Sequence, residues 1–432
     1  IPTSQYLMKR RYYFFAGTFF LTLLLYIDRV AISSSKEMIG GDLTLSDPQI
    51  GWVLAAFSLG YALFQVPVGA IGDRLGPRKV LTSIIAIWSG FTLLTGAAWN
   101  YLSMLLFRFA FGAGEAGAFP NISRAAFNWV PLPERGIFQG INFSGSRLGA
   151  AFALPMVAYC LEIWGWRPVF YALGVVGVGV AVFFWLAFRD RPEEHPGLRE
   201  AEKDFIAQHR EQRKSGVVAP LSWSQVFGSR NVWLAMAQYI GSNFIFFFTL
   251  TWLFPYLKQR YELDLLTTGL YAMLPLLAGA AGNWVSGWWV DFLYRRGQQV
   301  ASRRWPAMVG FVLVVIGIGG SLGQSEVGPA VAFLCLAIFG ADMTLSPSWS
   351  FCIDIGREHA GRVSGLMNMA GNLGSFVTAL AFPYLQAWTG STDLFFYLAM
   401  GLALLSIFAW SGMNPTQPLV ADSSETLTQS NP

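Results

Sequence analysis

The chain has 432 residues, of which 54% are hydrophobic and only 12% are charged. A soluble domain carries about 25% charged residues, so this composition excludes an ordinary soluble protein and favours an integral membrane protein. The net charge of +4 is not gathered into a basic block interleaved with exposed aromatic residues, which argues against a nucleic-acid partner.

Apolar runs of about twenty residues, the length that crosses a hydrocarbon core, recur along the chain. The first run contains Asp28 and Arg29, unlike the uncharged core of a signal peptide. We predict an all-α membrane protein with twelve transmembrane helices in two six-helix bundles. The predicted spans are 14–33, 50–71, 80–98, 102–124, 137–160, 167–188, 232–257, 267–290, 305–323, 328–353, 363–386 and 392–412.

A polar segment rich in proline and charged residues divides the spans into two sets of six. We predict an N-terminal bundle at 1–188, a linker at 189–230, a C-terminal bundle at 231–412 and a disordered tail at 413–432. One amphipathic helix on the membrane surface is an option for the linker. Most Lys and Arg residues fall on the side of the two termini, so the positive-inside rule predicts that the termini and the linker are cytoplasmic.

The two sets of spans share a pattern. Gly140 and Gly149 in the fifth span are followed, 225 positions later, by Gly365 and Gly374 in the eleventh. Chance matches are the alternative in a chain with 45 glycines. A common offset at several positions favours two parallel repeats, which in transporters enclose a cavity at the membrane midplane.

The loop after the second span reads GAIGDRLGPRK over residues 69–79, and a related Asp291 follows the eighth span. This loop matches the G-x-x-x-D-R-x-G-x-R-K signature of the major facilitator superfamily, so the chain resembles that family. The resemblance implies a charge cluster that holds the cytoplasmic side shut. The alternative is that the charges of this loop only determine the orientation of the chain in the membrane. The gating residues that it implies are Gly69, Asp73, Arg74, Gly76, Arg78 and Asp291.

Three further motifs are Tyr26-Ile-Asp28-Arg29 in the first span, the glycine-rich stretch around Glu115 in the fourth, and Asn368-Met-Ala-Gly-Asn-Leu-Gly in the eleventh. Together they resemble the anion:cation symporter family, which includes galactonate, glucarate and hexuronate carriers, sialin and the vesicular glutamate transporters. The resemblance covers nearly all of the chain. It implies that Asp28 and Glu115 couple transport to protons and that Arg29 binds the substrate carboxylate.

Charged residues within membrane spans are costly and point to function on their own. Arginine offers a planar fork of donors that matches a carboxylate, so arginines at this depth favour an anionic substrate. Burial favours the protonated form of a carboxylate, which is the simplest route to proton coupling. The charged residues within the spans are Arg29, Arg108, Arg147, Asp28, Glu115 and Asp342.

Three of these residues have structural alternatives. Arg108 serves either the substrate or the neutralisation of Glu115. Arg147, where the best-known sugar-acid carriers of the family have an uncharged residue, contacts a second anionic or polar end of the substrate or packs against a helix end or a lipid headgroup. Asp342 precedes Pro347, and it lines the cavity or caps a broken helix.

Polar residues complete the predicted site, with helix–helix hydrogen bonding as the alternative for each of them. Asn368 and Asn372 lie four residues apart and share a helix face. The predicted substrate-binding residues are Tyr26, Arg29, Tyr61, Arg108, Arg147, Ser346, Asn368 and Asn372.

The cysteines and histidines offer no metal or catalytic chemistry. Cys160, Cys335 and Cys352 lie in or at the end of apolar segments, which argues against a disulfide framework, and the three histidines fall in loops. We therefore predict no metal, no cofactor and no catalytic residue. A membrane enzyme is disfavoured because no nucleophile–base pair is found at membrane depth.

The sequence thus predicts a monomeric transporter in the bilayer of a bacterial inner membrane. Its predicted activity is proton-coupled symport of a small organic anion, a sugar acid or other carboxylate, by alternating access. Exchange or uniport of the same anion without proton coupling is the first alternative. A sensor that does not transport is the second.

Overall fold

The computed structural model describes residues 11–210 and 221–419, and within these ranges the chain is helical and has no β-strand. The predicted all-α fold is therefore confirmed. The helices are α1 Arg11–Ser34, α2 Lys36–Asp42, α3 Asp47–Leu75, α4 Pro77–Gly96, α5 Tyr101–Glu115, α6 Ala118–Trp129, α7 Arg135–Trp164, α8 Trp166–Ala187, α9 Glu200–His209, α10 Trp223–Gly228, α11 Arg230–Thr251, α12 Leu253–Tyr261, α13 Leu265–Arg295, α14 Gln299–Ser321, α15 Val327–Met343, α16 Leu345–Gly356, α17 Ala360–Thr389 and α18 Asp393–Gly412.

Each predicted span coincides, within a few residues, with one helix or with two consecutive helices. We call α1–α8 the first half and α11–α18 the second half. We call the side where α1 begins and α18 ends the terminal face. By length and composition, nine stretches of the described residues suit a membrane span, and one of them, Val327–Thr389, extends over α15, α16 and α17. The long helices α7 and α13 are not among the nine. Both bury polar residues, Arg147 in α7 and Asn283 in α13, and they pack against each other.

Three spans are broken into two helices at membrane depth. The breaks separate α5 from α6, α11 from α12, and α15 from α16. Glu115 is the last residue of α5, and Asp342 lies in the last turn of α15. Backbone that leaves the helix at this depth is tolerated where it is buried in protein or lines a cavity. The α5–α6 break thus has an acid, Glu115, beside it, and the α15–α16 break has Asp342 beside it.

The repeat read from the glycines has a structural counterpart. Gly149 of α7 lies against the backbone of Leu23 in α1, and Gly374 of α17 lies against the backbone of Ile240 in α11. A side chain at either glycine would collide with the facing main chain, so both positions need the close approach that glycine permits. The same helix crossing is therefore made once in each half.

The linker and the tail pack on the terminal face. Glu202 of α9 accepts a hydrogen bond from the backbone N–H of Arg11 (2.9 Å), so α9 lies against the first half. The backbone N–H of Leu419 donates to the carbonyl of Ile355 at 2.9 Å, so residue 419 of the predicted tail contacts α16. The rest of that tail, 420–432, and the linker residues 211–220 lie outside the described residues.

Candidate functional site

A cavity lies between the two halves. Small-molecule sites are often found where two domains of a protein meet. Aromatic rings form much of the wall, and two arginines and an aspartate supply charge. The cavity is lined by Tyr26, Arg29, Tyr61, Phe119, Phe143, Arg147, Tyr239, Ser242, Asn243, Phe246, Phe247, Leu250, Asp342, Leu345, Trp349, Asn368, Asn372 and Ser375.

Arg29 reaches this cavity from α1 and is held from behind by Glu115. The Nε of Arg29 donates to Oε1 of Glu115 at 2.6 Å, and Nη2 makes an ion pair with the same oxygen. The Glu115 side chain is fully buried, whereas that of Arg29 is 20% exposed. The guanidinium also lies over the rings of Tyr26 (4.8 Å) and Tyr61 (4.6 Å). This arrangement orients the guanidinium and leaves part of it accessible to an anion in the cavity.

Asp28 and Arg108 lie buried behind this pair and outside the cavity wall. Within the described residues, neither carboxylate oxygen of Asp28 has a hydrogen-bond partner, and the indole of Trp88 lies near it outside normal geometry. Arg108 lies over the ring of Phe111, 4.4 Å from its centroid. The direct ion pair of Glu115 is made by Arg29, and Arg108 acts on Glu115 at longer range.

Arg147 makes the second buried ion pair of the cavity. Its Nε and Nη2 donate to the two carboxylate oxygens of Asp342 at 2.7 and 2.6 Å. The side chains are 3% and 1% exposed. Arg147 is therefore buried against the last turn of α15, a helix end, and is not exposed at the surface of the protein. Asp342 lines the cavity and also lies at the break between α15 and α16.

The second half contributes amides and aromatic side chains. Asn368 donates to the hydroxyl of Tyr61 across the cavity at 3.5 Å, the long limit of a hydrogen bond. Asn372 donates to the carbonyl of Asn368 at 2.8 Å. The indole of Trp349 donates to the hydroxyl of Tyr239 at 2.8 Å. These groups offer hydrogen bonds and ring surface to a ligand, but no free cation.

Two residues predicted to bind substrate lie elsewhere. Arg108 is buried behind the Arg29–Glu115 pair, and Ser346 is buried between the halves. The hydroxyl of Ser346 donates to the carbonyl of Gly136 at the start of α7. Ser346 therefore joins α16 to the start of α7 and does not line the cavity.

The terminal face is closed by two matching contacts. Asp73, near the end of α3, accepts hydrogen bonds from the backbone N–H groups of Gly361 (3.0 Å) and Arg362 (2.9 Å) at the start of α17. Asp291, near the end of α13, accepts from those of Gly136 (2.7 Å) and Ile137 (2.8 Å) at the start of α7. Each carboxylate thus binds a helix N-terminus of the opposite half, where anions are favoured.

The other predicted gating residues surround the first of these contacts. Gly69 packs on the backbone of Gly361, and Gly76 turns the chain with a φ of 89°. The backbone N–H of Arg78 donates to Asp190 at 2.7 Å, and its guanidinium lies 4.1 Å from the ring of Trp185. Arg74 is exposed.

Several site features were not predicted. Asp354 of α16 accepts from Arg135 of α7 (2.5 Å) and from Arg303 of α14 (2.7 Å), which adds a buried charge cluster to the closed terminal face. The Arg147–Asp342 pair was also missed. Two opposite charges at membrane depth, one in each half, were the available signal, since buried charges are generally paired.

Comparison with known proteins identifies the family. The family model described as Major Facilitator Superfamily matches residues 18–379. The probable sulfoacetate transporter SauU of Cupriavidus necator is 33% identical over 94% of this chain and 95% of its own. The probable galactarate/D-glucarate transporter GudP of Escherichia coli K12 is 31% identical over 88% of each chain. The structure of the proton:xylose symporter XylE bound to 6-bromo-6-deoxy-D-glucose superposes with a TM-score of 0.74 at 14% identity, over 94% of this chain and 96% of that one.

The matched residues extend through both halves and include the motifs from which the resemblance was drawn. The relatives are carriers of organic acids, as the predicted branch of the family requires. The chain belongs to the Major Facilitator Superfamily and is a membrane transporter, not an enzyme.

Proposed function

We propose that this transporter is a proton-coupled symporter of a small organic anion, a sugar acid or other carboxylate. The observation that carries the proposal is the Arg29–Glu115 pair, in which a cavity-facing guanidinium is held by a fully buried acid. A substrate carboxylate and Glu115 compete for the same fork of donors. Protonation of Glu115 removes the competitor, and this links substrate binding to proton uptake.

The charges of the buried cluster support this linkage. Asp28, Glu115, Arg29 and Arg108 sum to zero formal charge when both acids are ionised. Each proton taken up adds one positive charge to a desolvated site, where an unbalanced charge is costly. An anion entering beside Arg29 restores the balance. Proton and anion therefore favour each other's binding, as symport requires.

The relatives support the substrate class. Sulfoacetate, galactarate and D-glucarate, named for two of them, are organic anions. We extend that class, not the individual compound, to this chain. We assign substrate contact to Arg29, Tyr26, Tyr61, Asn368 and Asn372, and proton coupling to Asp28 and Glu115.

Alternating access is proposed to operate through the two matching contacts of the terminal face. Opening that face requires Asp73 and Asp291 to leave the helix N-termini that they bind. The basic loops on this side support a cytoplasmic terminal face in a bacterial inner membrane. The protein is proposed to act as a monomer, because the cavity is formed by the two halves of one chain.

The test is uptake of radiolabelled D-glucarate or sulfoacetate into proteoliposomes. Under an inward proton gradient, we expect accumulation above the external concentration, and its loss on adding a protonophore. Liposomes carrying Arg29→Gln provide the matched control without transport. Uptake that only reaches equilibrium and ignores the gradient would indicate a uniporter. Uptake that requires internal substrate would indicate an exchanger.

A further inference from the structure

Arg147 belongs to the first half, but the contacts described for its guanidinium are made with the second half. Its two donors bind Asp342 of α15 in a bidentate pair. Its guanidinium carbon also lies 3.4 Å from the ring centroid of Phe246 in α11. The pair is thus a bond between the halves, whereas the Arg29–Glu115 pair lies within the first half.

Asp342 in the second half and Glu115 in the first half lie at similar places in the repeat. The two acids are 227 positions apart (342 − 115), close to the 225-position repeat, and each lies where a broken span changes from one helix to the next. Gly279 of α13 packs directly against the Asp342 carboxylate. Each acid accepts hydrogen bonds from the guanidinium of a first-half arginine at the cavity wall: Glu115 from Arg29, and Asp342 from Arg147.

A buried ion pair is costly to break when a charge is left alone, but Arg147 keeps a counter-ion when a substrate anion takes the place of Asp342. Arg147, Asp342 and Arg29 line the same cavity. From this we infer that the second acidic group of a dianionic substrate displaces Asp342 from Arg147, so that this cavity selects diacids over monoacids. The inference rests on the proposed function, because it takes Arg29 as the site of the first acidic group.

The chemistry of the site defines the second acidic group. The Arg147 fork suits two oxygens of one oxyanion, which a carboxylate or a sulfonate supplies equally well. A hydroxyl or an amide supplies no charge to replace Asp342, so it leaves the pair closed. The displaced Asp342 loses its cation in a buried place, and uptake of a proton by its carboxylate would offset that cost.

Displacement also changes the contact between the halves. In the ion pair, Arg147 is tied to a residue fixed in α15, whereas a bound diacid is tied to neither backbone. Only a diacid therefore loosens this link while it occupies the site. That property couples recognition of the second acidic group to the movement of the halves.

The experiment measures Kd by calorimetry for two matched ligand pairs, D-glucarate with D-gluconate and sulfoacetate with acetate. Each pair differs by one acidic group. Wild-type protein is expected to prefer the diacid in at least one pair. Arg147→Gln is expected to lower diacid affinity about tenfold or more, with little change for the monoacid. Asp342→Asn removes the competitor and is expected to raise diacid affinity about tenfold.

Two variants keep the test independent of misfolding. The double variant Arg147→Gln/Asp342→Asn leaves no unpaired buried charge, so it should fold, bind the monoacid as wild type does, and show no diacid preference. Asp354→Asn is the matched control, because it weakens another buried Arg–Asp contact between the halves outside the cavity. It should keep the wild-type ratio of affinities.

An unchanged diacid-to-monoacid ratio in Asp342→Asn and in the double variant would overturn the inference and leave the proposed function standing. A similar change of ratio in Asp354→Asn would also overturn it, because general loosening would then explain the result. If wild-type protein bound none of the four acids, the proposed function would fail and this inference with it.

Discussion

The two halves share their helix crossings but differ in what they bring to the cavity. The first half supplies Arg29 and Arg147 to the cavity wall and holds Arg108, Asp28 and Glu115 buried outside it. The second half supplies Asp342, together with amides and aromatic rings. The two halves therefore share helix packing, but the charged residues of the first half have few counterparts in the second. Under the proposed function, the first half manages charge and protons, and the second half supplies shape and hydrogen bonds.

The contacts on the terminal face, in contrast, are alike in the two halves. There, Asp73 and Asp291 perform the same task in the two halves, each at a helix N-terminus of the other half. Under the proposed function, both contacts break when that face opens, so closure is symmetric. Ligand recognition has no such requirement, because a single asymmetric molecule contacts both walls.

The largest expected effect in the first half is that of Asp28→Asn. Asparagine mimics the protonated acid and cannot release a proton. We expect complete loss of accumulation driven by a pH gradient, while substrate binding measured by calorimetry persists. Full accumulation under the gradient in this variant would remove Asp28 from the coupling mechanism.

Glu115→Gln is expected to lose net proton-coupled uptake and to keep counterflow. Counterflow exchanges labelled for unlabelled substrate without net proton movement, so an uncharged side chain at position 115 does not prevent it. Both assays are run on the same proteoliposomes. Loss of counterflow together with a lowered Tm would show that Glu115 mainly holds Arg29 in place.

Arg29→Lys is expected to weaken substrate affinity by about hundredfold. Lysine keeps the charge but loses the planar fork, and removing one contact of a buried, hydrogen-bonded charge costs about 2–5 kcal/mol. The measurement is Kd by calorimetry, with Arg78→Lys on the terminal face as a control that should bind normally. Near-normal affinity in Arg29→Lys would contradict its role.

Much of this arrangement could be predicted from the sequence. The twelve predicted segments coincide with helices of the structure, because an apolar run of membrane length has few alternatives. Charge at membrane depth singled out Arg29, which lies at the cavity wall, and Glu115, which binds it. The loop motif singled out Asp73, which joins the two halves. In each case the signal was local, because the residue type alone was unusual for its surroundings.

The pairing of the charges could not be predicted. Arg108 and Glu115 lie seven residues apart on one helix face, so the sequence allowed them to pair, yet Glu115 binds Arg29 of another helix. The periodicity of a sequence shows which residues share a helix face. It does not show which other helix packs against that face, because this depends on contacts between segments distant in the sequence. The Arg147–Asp342 pair and the role of Ser346 between the halves were missed for the same reason.

Asp73→Asn and Asp291→Asn test the symmetric closure. An amide retains one acceptor oxygen for the two backbone donors and loses the charge that favours a helix N-terminus. We expect each variant to lower the transport rate about tenfold with little change in substrate Kd, and the two effects to be similar. The measurement is the initial rate of uptake. A large effect in only one variant would contradict the proposal that the two contacts contribute equally to closure.

The smallest expected effect comes from the second half. Asn368→Ala removes one neutral hydrogen-bonding group, worth about 0.5–1.5 kcal/mol, so affinity should fall about threefold to tenfold. Proton dependence of uptake should stay as in wild type. A changed pH dependence in Asn368→Ala would contradict the division of tasks between the halves.

The central claim is that substrate and protons move together, and it is tested most directly by proton flux. Proteoliposomes loaded with a pH-sensitive dye receive an inward gradient of D-glucarate or sulfoacetate, with no initial pH difference and with the membrane potential clamped at zero. The account predicts acidification of the lumen by wild-type protein and none by Asp28→Asn. Substrate entry through wild-type protein with no change in lumenal pH would contradict it.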